Sequence, residues 1–218
     1  EWWWDRASGW REPVQDTVGR GKELEKRARI LTVAKTIFLR LGYHGSSMNQ
    51  IAKDAGVTKL TVYNHFQDKE SLFTCAIQET CAECISEQHF CLTAQSDFLQ
   101  VFSDVCECTL KMIYLPEAIK LEHVLLELAA EKSPLAQHFF EASHQPLFDA
   151  LCEFFTQAAS LKLIRQDNPL KQTELILALL LGIRHHQVLL GITDVPSNEE
   201  IGDIVNDAIG IFMLKYQV

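Results

Sequence analysis

The stretch 47–66 constrains the fold of this chain most, because its pattern predicts two short helices joined by a tight turn. Ser47 is a favourable N-cap for the first helix, and Gly56 stands where a helix end favours a left-handed residue. Thr58 is a favourable N-cap for the second helix, in which Val62 and Phe66 lie four positions apart on one face. The pattern therefore predicts a helix-turn-helix unit with an apolar inner face.

The outer face of the second helix carries side chains that suit contacts with nucleic acid. Lys59, Tyr63 and His65 are donors that match phosphate oxygens, and Asn64 can pair with the edge of an adenine. These residue types favour a helix that contacts DNA. The alternative is a small helical hairpin with a solvated face, since this geometry also occurs outside DNA-binding proteins.

A longer run, 29–73, surrounds this unit with an ordered set of apolar, glycine and polar positions. They are Ile30, Leu31, Ala34, Phe38, Gly42, Tyr43, Ile51, Ala52, Ala55, Gly56, Val57, Tyr63, His65, Phe66, Lys69, Glu70, Leu72 and Phe73. On these residues the run resembles the N-terminal DNA-binding domain of the TetR family of transcriptional regulators. The resemblance implies that Lys69 contacts a phosphate, and it completes the predicted DNA contacts with Ser47, Thr58, Leu60 and Thr61. Leu60 departs from the small residue frequent in the family, and its side chain suits a thymine methyl group.

Beyond Phe90 the apolar residues recur at helical spacing without a strand pattern, so the sequence predicts an all-α chain. The predicted organisation is a loosely ordered extension over 1–21, a three-helix DNA-binding domain over 22–67, and a helical bundle for ligand binding and dimerisation over 68–218. The helices are predicted over 22–41 (Leu24, Ala28, Leu31, Ala34, Phe38 and Leu41 inward), Asp68 to about His89, 98–112, Pro116–Ala130, from Ser133 with a break or bend near Pro146, Pro169–Leu190, and Ser197 to about Tyr216.

The net charge of -9 hides a strong asymmetry along the chain. Residues 20–70 hold ten lysines and arginines against five acidic residues, whereas residues 71–218 hold eight against twenty. A basic head can approach phosphates while an acidic body stays in solvent. The division therefore agrees with DNA binding by the N-terminal part.

The seven cysteines are an odd set without the spacing of a disulfide framework, which predicts a reducing compartment. Most fit small, partly buried apolar positions. The alternative is a thiol- or metal-sensing regulator that uses Cys81 with Cys84, or Cys106 with Cys108.

Several classes of protein are disfavoured by what the sequence lacks. No apolar run approaches the roughly 20 residues of a membrane-spanning helix, and no signal peptide is evident, so a cytoplasmic protein is expected. No catalytic constellation or phosphate-cradling glycine loop stands out, which predicts neither an enzyme nor a cofactor. His185 and His186 point about 100° apart on a helix, so no metal site is predicted.

The C-terminal part resembles AefR-type regulators over 116–128, at Ser133–Ala136 and at Leu189–Gly191. The wider resemblance to TetR regulators implies a homodimeric repressor that an apolar or aromatic effector releases from a palindromic operator. An apolar cavity with a few polar groups is typical of a small-molecule site, although each candidate also fits a core position. The candidates are Phe102, Cys106, His123, Phe140, His144, Phe148 and His186.

The last two helices carry apolar stripes that suit a four-helix interface between two subunits. The stripes are Leu175, Leu179, Ile183, Gln187 and Leu190 on one helix, and Ile201, Val205, Ala208 and Phe212 on the other. The alternative is that these side chains are buried within their own domain.

Overall fold

The structure is a computed structural model that describes residues 15–86 and 90–218, and within these residues all regular structure is helical. The helices are α1 (Gln15–Leu41), α2 (Met48–Ala55), α3 (Lys59–Phe66), α4 (Lys69–Ser86), α5 (Phe98–Ile113), α6 (Pro116–Ala130), α7 (Leu135–Ser160), α8 (Pro169–Leu189) and α9 (Asn198–Tyr216). The all-α prediction is confirmed.

Local capping interactions set the ends of the helix-turn-helix unit. The Ser47 hydroxyl accepts a hydrogen bond from the Gln50 N–H at 3.2 Å, and the Thr58 hydroxyl accepts one from the Thr61 N–H at 3.2 Å. Gly56 ends α2 with φ 67°, a left-handed conformation that glycine adopts without steric cost. The predicted caps and turn are therefore confirmed.

Two apolar cores hold the helices together. The first core joins α1, α2, α3 and the start of α4 to residues of α6 and α7, including Leu128 and Phe139. The second core joins α5 to the remainder of α7 and to α8 and α9, with Phe102, Phe154 and Phe212 fully buried. The first four helices thus share their core with the body, and the boundary predicted at 67/68 stays a prediction.

The first helix is longer than predicted and faces its core differently. It begins at Gln15, so residues 15–21 are helical, and the four tryptophans lie outside the described residues. Leu31, Ala34 and Phe38 are buried as predicted. Leu24, Ala28 and Leu41 are exposed, because the core of this unit begins only at Ile30.

Two helices differ from the prediction in their continuity. The sequence predicts a break or a bend near Pro146; α7 is not broken there, since burial of Leu147 and Leu151 on the following turns holds the helix together. In contrast, α8 is interrupted at Gly182, whose φ of 50° and ψ of -154° are open essentially to glycine alone. The predicted end of the fourth helix, at His89, lies outside the described residues.

The predicted stripe on α9 is internal to the subunit. Ile201, Val205, Ala208 and Phe212 are all buried in the second core, so the alternative interpretation of this stripe is correct. On α8, Leu175 and Leu179 pack partly against the same core, while Ile183 and Leu190 are 72% and 59% exposed.

Among the described residues, none of the helices combines the length and apolar composition that crossing a membrane requires.

Phe212 is expected to be a main contributor to stability, because the centre of its ring lies 5.2, 5.1 and 4.8 Å from the ring centres of Phe102, Phe155 and Tyr216. The Phe212→Ala variant should lower the free energy of unfolding by about 3–5 kcal/mol. Urea unfolding followed by circular dichroism, at one protein concentration, measures the loss. Leu126→Ala is the control, since Leu126 is 52% exposed and should change the value by no more than about 0.5 kcal/mol. Equal midpoints for both variants would contradict the assignment of Phe212 to the core.

Candidate DNA-contacting surface and ligand cavity

The third helix has one buried and one open face, as predicted. Val62 and Phe66 are 0% and 3% exposed and belong to the first core. Lys59, Tyr63 and Asn64 lie on the exposed face, together with Leu60, which is 69% exposed. Lys59 Nζ lies 5.7 Å from the centre of the Tyr63 ring.

Hydroxyl groups cluster where α3 begins. Thr58 Oγ1 lies 2.8 Å from Thr61 Oγ1 and also serves as the N-cap. Ser47 is exposed at the start of α2 and caps it in the same way. A capping oxygen accepts a backbone hydrogen bond, so the hydroxyl hydrogen of Ser47 stays available to another acceptor. Between Thr58 and Thr61 one hydroxyl donates to the other, which leaves one hydrogen of the pair available.

His65 is less open than the sequence suggested. Its Nε2 lies 3.2 Å from Glu23 Oε2, and its side chain is 18% exposed. Glu23 is fully exposed on α1, and Lys26, with a smaller contribution from His65, lowers the pKa of its carboxyl group. An acidic side chain therefore stands beside His65 on this surface.

Lys69 has hydrogen-bond partners for its ammonium group inside the protein, and its predicted phosphate contact stays a prediction. Its ammonium group donates hydrogen bonds to the backbone carbonyls of Tyr43 at 2.8 Å and Ser46 at 3.2 Å. It also lies 4.2 Å from the centre of the Tyr43 ring, and burial lowers its pKa. Because two of its three hydrogens are used inside the protein, Lys69 links α4 to the loop before α2.

A cavity of about 500 Å³ lies in the body between α4, α5, α6, α7 and α8. Most of its lining is apolar. The lining residues are Cys81, Ile85, Met112, Ile113, Ala118, Leu121, Glu122, Phe140, Ser143, His144, Leu147, Phe148, Glu174, Leu177, Ala178, Leu181, His185 and Leu189.

Three of the seven predicted ligand contacts, Phe140, His144 and Phe148, line this cavity, and four do not. Phe102 and Cys106 are buried in the second core, because the α5 face that carries them packs against α9. The side chain of His123 lies outside the lining, where its Nε2 is 2.7 Å from the carbonyl oxygen of Leu189. His186 is exposed.

Glu122 and His185 were missed as cavity residues. A signal for Glu122 was present, since it is a carboxylate beside the apolar Leu121 and Leu125 on α6. His185 was considered only as a metal ligand together with His186. It follows the interruption of α8 at Gly182, which periodicity does not reveal.

A hydrogen-bonded chain of polar side chains crosses the wall formed by α6 and α7. His144 Nε2 lies 2.8 Å from Glu122 Oε1, and His144 Nδ1 lies 2.6 Å from Ser143 Oγ. Ser143 Oγ also lies 3.1 Å from the carbonyl oxygen of Phe140, which can accept the hydroxyl hydrogen when His144 Nδ1 does not. The Phe140 and His144 rings are stacked with their centres 4.2 Å apart.

His185 brings an unused polar atom to the cavity wall. Its buried Nδ1 has no hydrogen-bond partner among the described residues, and its ring meets the edge of Tyr114 at 5.5 Å. Burial lowers the pKa of His185, which favours the neutral ring at pH 7. The neighbouring Arg184 is bound elsewhere, with 2.7 and 3.2 Å contacts to Glu200 and a 2.6 Å contact to Thr193.

A second, smaller cavity of about 110 Å³ adjoins the first and lies between α1, α4, α5 and α6. Both cavities are lined by Cys81, Met112, Ala118 and Leu121. Phe38 and Phe73, which belong to the first core, line the smaller one.

The thiol-sensing alternative gains no support from α5. Cys106 is 1% exposed, and burial strongly raises the pKa of its thiol. Burial also raises the pKa of the Cys108 thiol. A reactive cysteine needs an accessible thiolate, so this pair is unfavourable for redox sensing. The side chain of Cys84 lies outside the described part of the chain.

The two short helices, the open face of α3 and the cavity-bearing body define a helix-turn-helix transcriptional regulator. The family model described as "bacterial regulatory proteins, tetR family" matches residues 30–74. The model described as "AefR-like transcriptional repressor, C-terminal domain" matches residues 100–218. The chain belongs to the TetR family of transcriptional regulators, which confirms the resemblance.

Relatives of known name agree on the class of protein and differ in the sign of regulation. The activator FasR of Mycolicibacterium smegmatis is 33% identical over 81 residues, which span 36% of this chain and 37% of FasR. The regulator LmrA of Bacillus subtilis is 31% identical over 129 residues, 56% of this chain and 64% of LmrA. The repressor AcnR of Corynebacterium diphtheriae is 22% identical over 184 residues, 84% of this chain and 91% of AcnR.

Solved structures share the fold over nearly their whole length. A TetR-family regulator of Mesorhizobium loti superposes with a TM-score of 0.79 and 24% identity, covering 90% of this chain and 99% of that one. The flavonoid-responsive regulator FrrA superposes with a TM-score of 0.75 and 23% identity, covering 88% and 97%.

Loss of the Lys69 ammonium group is expected to destabilise the protein even without DNA. The Lys69→Met variant keeps the apolar stem but leaves the Tyr43 and Ser46 carbonyls without this donor, so the free energy of unfolding should fall by about 1–3 kcal/mol. Urea unfolding measures the change. Lys59→Met is the matched control, since Lys59 is exposed and should change stability by no more than about 0.5 kcal/mol. Equal stabilities for the two variants would mean that the Lys69 contacts contribute nothing to folding.

Proposed function

We propose that this chain is a DNA-binding repressor that places α3 in the major groove of its operator and leaves it when a small molecule occupies the cavity. The observation that carries the proposal is the open face of α3, where Lys59, Leu60, Tyr63 and Asn64 stand on a helix fixed from behind by Val62. A rigid helix with such side chains suits the width of the major groove.

The roles of the surface residues follow from their chemistry. Asn64 and Lys59 are suited to base edges, and Leu60 is suited to a thymine methyl group. The Tyr63 hydroxyl and the hydroxyls of Ser47, Thr58 and Thr61 are suited to phosphate oxygens. His65 and Lys69 belong to the same surface region, but their side chains are engaged by Glu23 and by backbone carbonyls, so we assign them a supporting role.

A homodimer would present two α3 helices to the two halves of a palindromic operator. We propose that its interface uses exposed apolar residues of the last two helices. Ile183 on α8 is 72% exposed, and Ile211 and Leu214 on α9 are 52% and 79% exposed. Ile211 and Leu214 are three positions apart and share one exposed face of α9, whereas the stripe predicted for the interface is buried on another face of the same helix.

The ligand response would pass through α4 and α7. Cys81 and Ile85 on α4 line the cavity, while Leu72 and Phe73 of the same helix lie in the first core, against α1. A ligand that favours one arrangement of the cavity walls would shift the relative populations of the positions that α1, α2 and α3 can take. An aromatic effector is supported by the Phe140 and Phe148 rings and by the description of FrrA as flavonoid-responsive. DNA binding further implies a cytoplasmic location.

Fluorescence anisotropy with the intergenic duplex beside the gene for this chain tests the proposal. We expect tight binding that weakens steeply with salt, and much weaker binding to an unrelated duplex of equal length. The Asn64→Ala variant should lose about 1–3 kcal/mol of binding free energy for the operator if Asn64 contacts a base. Tyr63→Phe should weaken binding to all sequences alike.

Lys171→Ala is the control for these variants, since Lys171 is exposed on α8 and should leave DNA affinity unchanged. Equal, weak binding of both duplexes would contradict the proposed operator. Wild-type affinity in both Tyr63→Phe and Asn64→Ala would contradict the docking of α3.

The Leu214→Glu variant tests the proposed interface. A charge at this position should raise the dimer dissociation constant at least tenfold, because it would be desolvated in an apolar contact. Sedimentation velocity across a concentration series measures the change. Leu126→Glu is the control on the exposed face of α6. The same dissociation constant for both variants would place the interface elsewhere.

A further inference from the structure

We propose that the effector of the 500 Å³ cavity is an aromatic molecule that presents a hydrogen-bond donor, as a phenol hydroxyl or an amine, and that carries no negative charge. This inference rests on the function proposed above, because it names the chemistry of the ligand for the same cavity.

The charges on the cavity wall disfavour an anion. Glu122 and Glu174 are acidic, and the described residues that line the cavity include no lysine or arginine. Arg184 precedes the lining residue His185, but its guanidinium group is bound to Glu200 and Thr193. His144, when its ring is charged, is already paired with Glu122 at 2.8 Å. A carboxylate ligand would therefore lose its hydration here without gaining an unpaired cationic partner.

The polar groups on the wall use their hydrogen-bond donors among themselves, and they leave acceptors open to a ligand. His144 Nε2–H donates to Glu122 Oε1 whether the ring is neutral or charged. If the ring is neutral, Ser143 donates to His144 Nδ1; if it is charged, Nδ1–H donates to Ser143 Oγ and the serine hydroxyl donates to the Phe140 carbonyl. In both states the donors of His144 and Ser143 are used, while lone pairs of Glu122 and Ser143 stay open.

The unpartnered Nδ1 of His185 adds one more polar contact for the ligand. A neutral imidazole accepts at one nitrogen and donates at the other. A hydroxyl group can pair with Nδ1 in either tautomer, because it both donates and accepts. Since burial lowers the pKa of His185, this ring does not supply the positive charge that an anionic ligand would need.

The remaining wall favours a flat apolar body. Phe140 and His144 form a stacked pair 4.2 Å apart, and Phe148 lines the same cavity. Offset or edge contacts with such rings favour an aromatic ligand over an aliphatic one of equal area. The volume of about 500 Å³ falls within the range of small-molecule sites.

Fluorescence titration of the full chain with four stilbenes of one shape tests the proposal. The probes are 4-hydroxystilbene, 4-(aminomethyl)stilbene, 4-methoxystilbene, which lacks the donor, and stilbene-4-carboxylate. The hydroxy and aminomethyl probes should each bind at least about tenfold more tightly than the methoxy probe, with the carboxylate weakest. The order of the hydroxy and aminomethyl probes then distinguishes a phenol from an ammonium ligand.

The Glu122→Gln variant tests whether the hydrogen-bond donor of the ligand contacts Glu122 on the cavity wall. Its amide offers both a donor and an acceptor, so the preference for the hydroxy probe over the carboxylate probe should fall by about tenfold. Glu153→Gln is the matched control, since Glu153 is exposed on α7 and absent from the lining. Carboxylate binding as tight as hydroxy binding, or equal preferences in the two variants, would overturn the proposal.

The titration needs no DNA, and the anisotropy experiment needs no stilbene. Operator binding with no stilbene preference therefore overturns only the ligand class. Stilbene preference with no operator binding overturns the repressor and leaves the cavity chemistry in place.

Discussion

The contact of Phe73 with Phe38 and Phe139 is the interaction on which the arrangement of this protein depends. The ring centres lie 4.2 and 4.4 Å apart, and the three residues come from α4, α1 and α7. One long helix and two short ones, α1, α2 and α3, enclose too little interior for a full core of their own. Phe139 completes that core from the body, so the open face of α3 keeps a fixed relation to the bundle.

The same helices lead from this contact to the cavity. Phe139 is buried in the first core and its neighbour Phe140 lines the cavity, so one turn of α7 touches both. On α4, Phe73 lies in the first core and Cys81, about two turns further on, lines the cavity. The coupling of ligand binding to the position of α1, α2 and α3 needs no long chain of side chains, because α4 and α7 both line the cavity and pack in the first core. The size of the coupling would equal the difference in ligand affinity between the two head positions.

The two parts of the chain differ in the sign of their charge. Residues 20–70 carry the basic excess and present Lys59 beside Tyr63, whereas the acidic body pairs its own Arg184 with Glu200. The cavity continues this acidic character with Glu122. The proposed DNA surface and the proposed ligand site would thus select partners of different charge, a polyanion and a hydrogen-bond donor without negative charge.

The sequence by itself determined the elements whose causes are local. The Ser47 and Thr58 caps, the left-handed Gly56 and the inward pair Val62 and Phe66 depend on neighbours within four residues, and all were predictable.

Only the tertiary structure decided which polar and apolar faces meet. It placed Lys69 on the carbonyls of Tyr43 and Ser46, buried Phe212 inside its own subunit, and brought Glu122 to the cavity. These outcomes depend on residues far apart in the chain, and a periodic pattern shows that a face is apolar without showing which surface covers it.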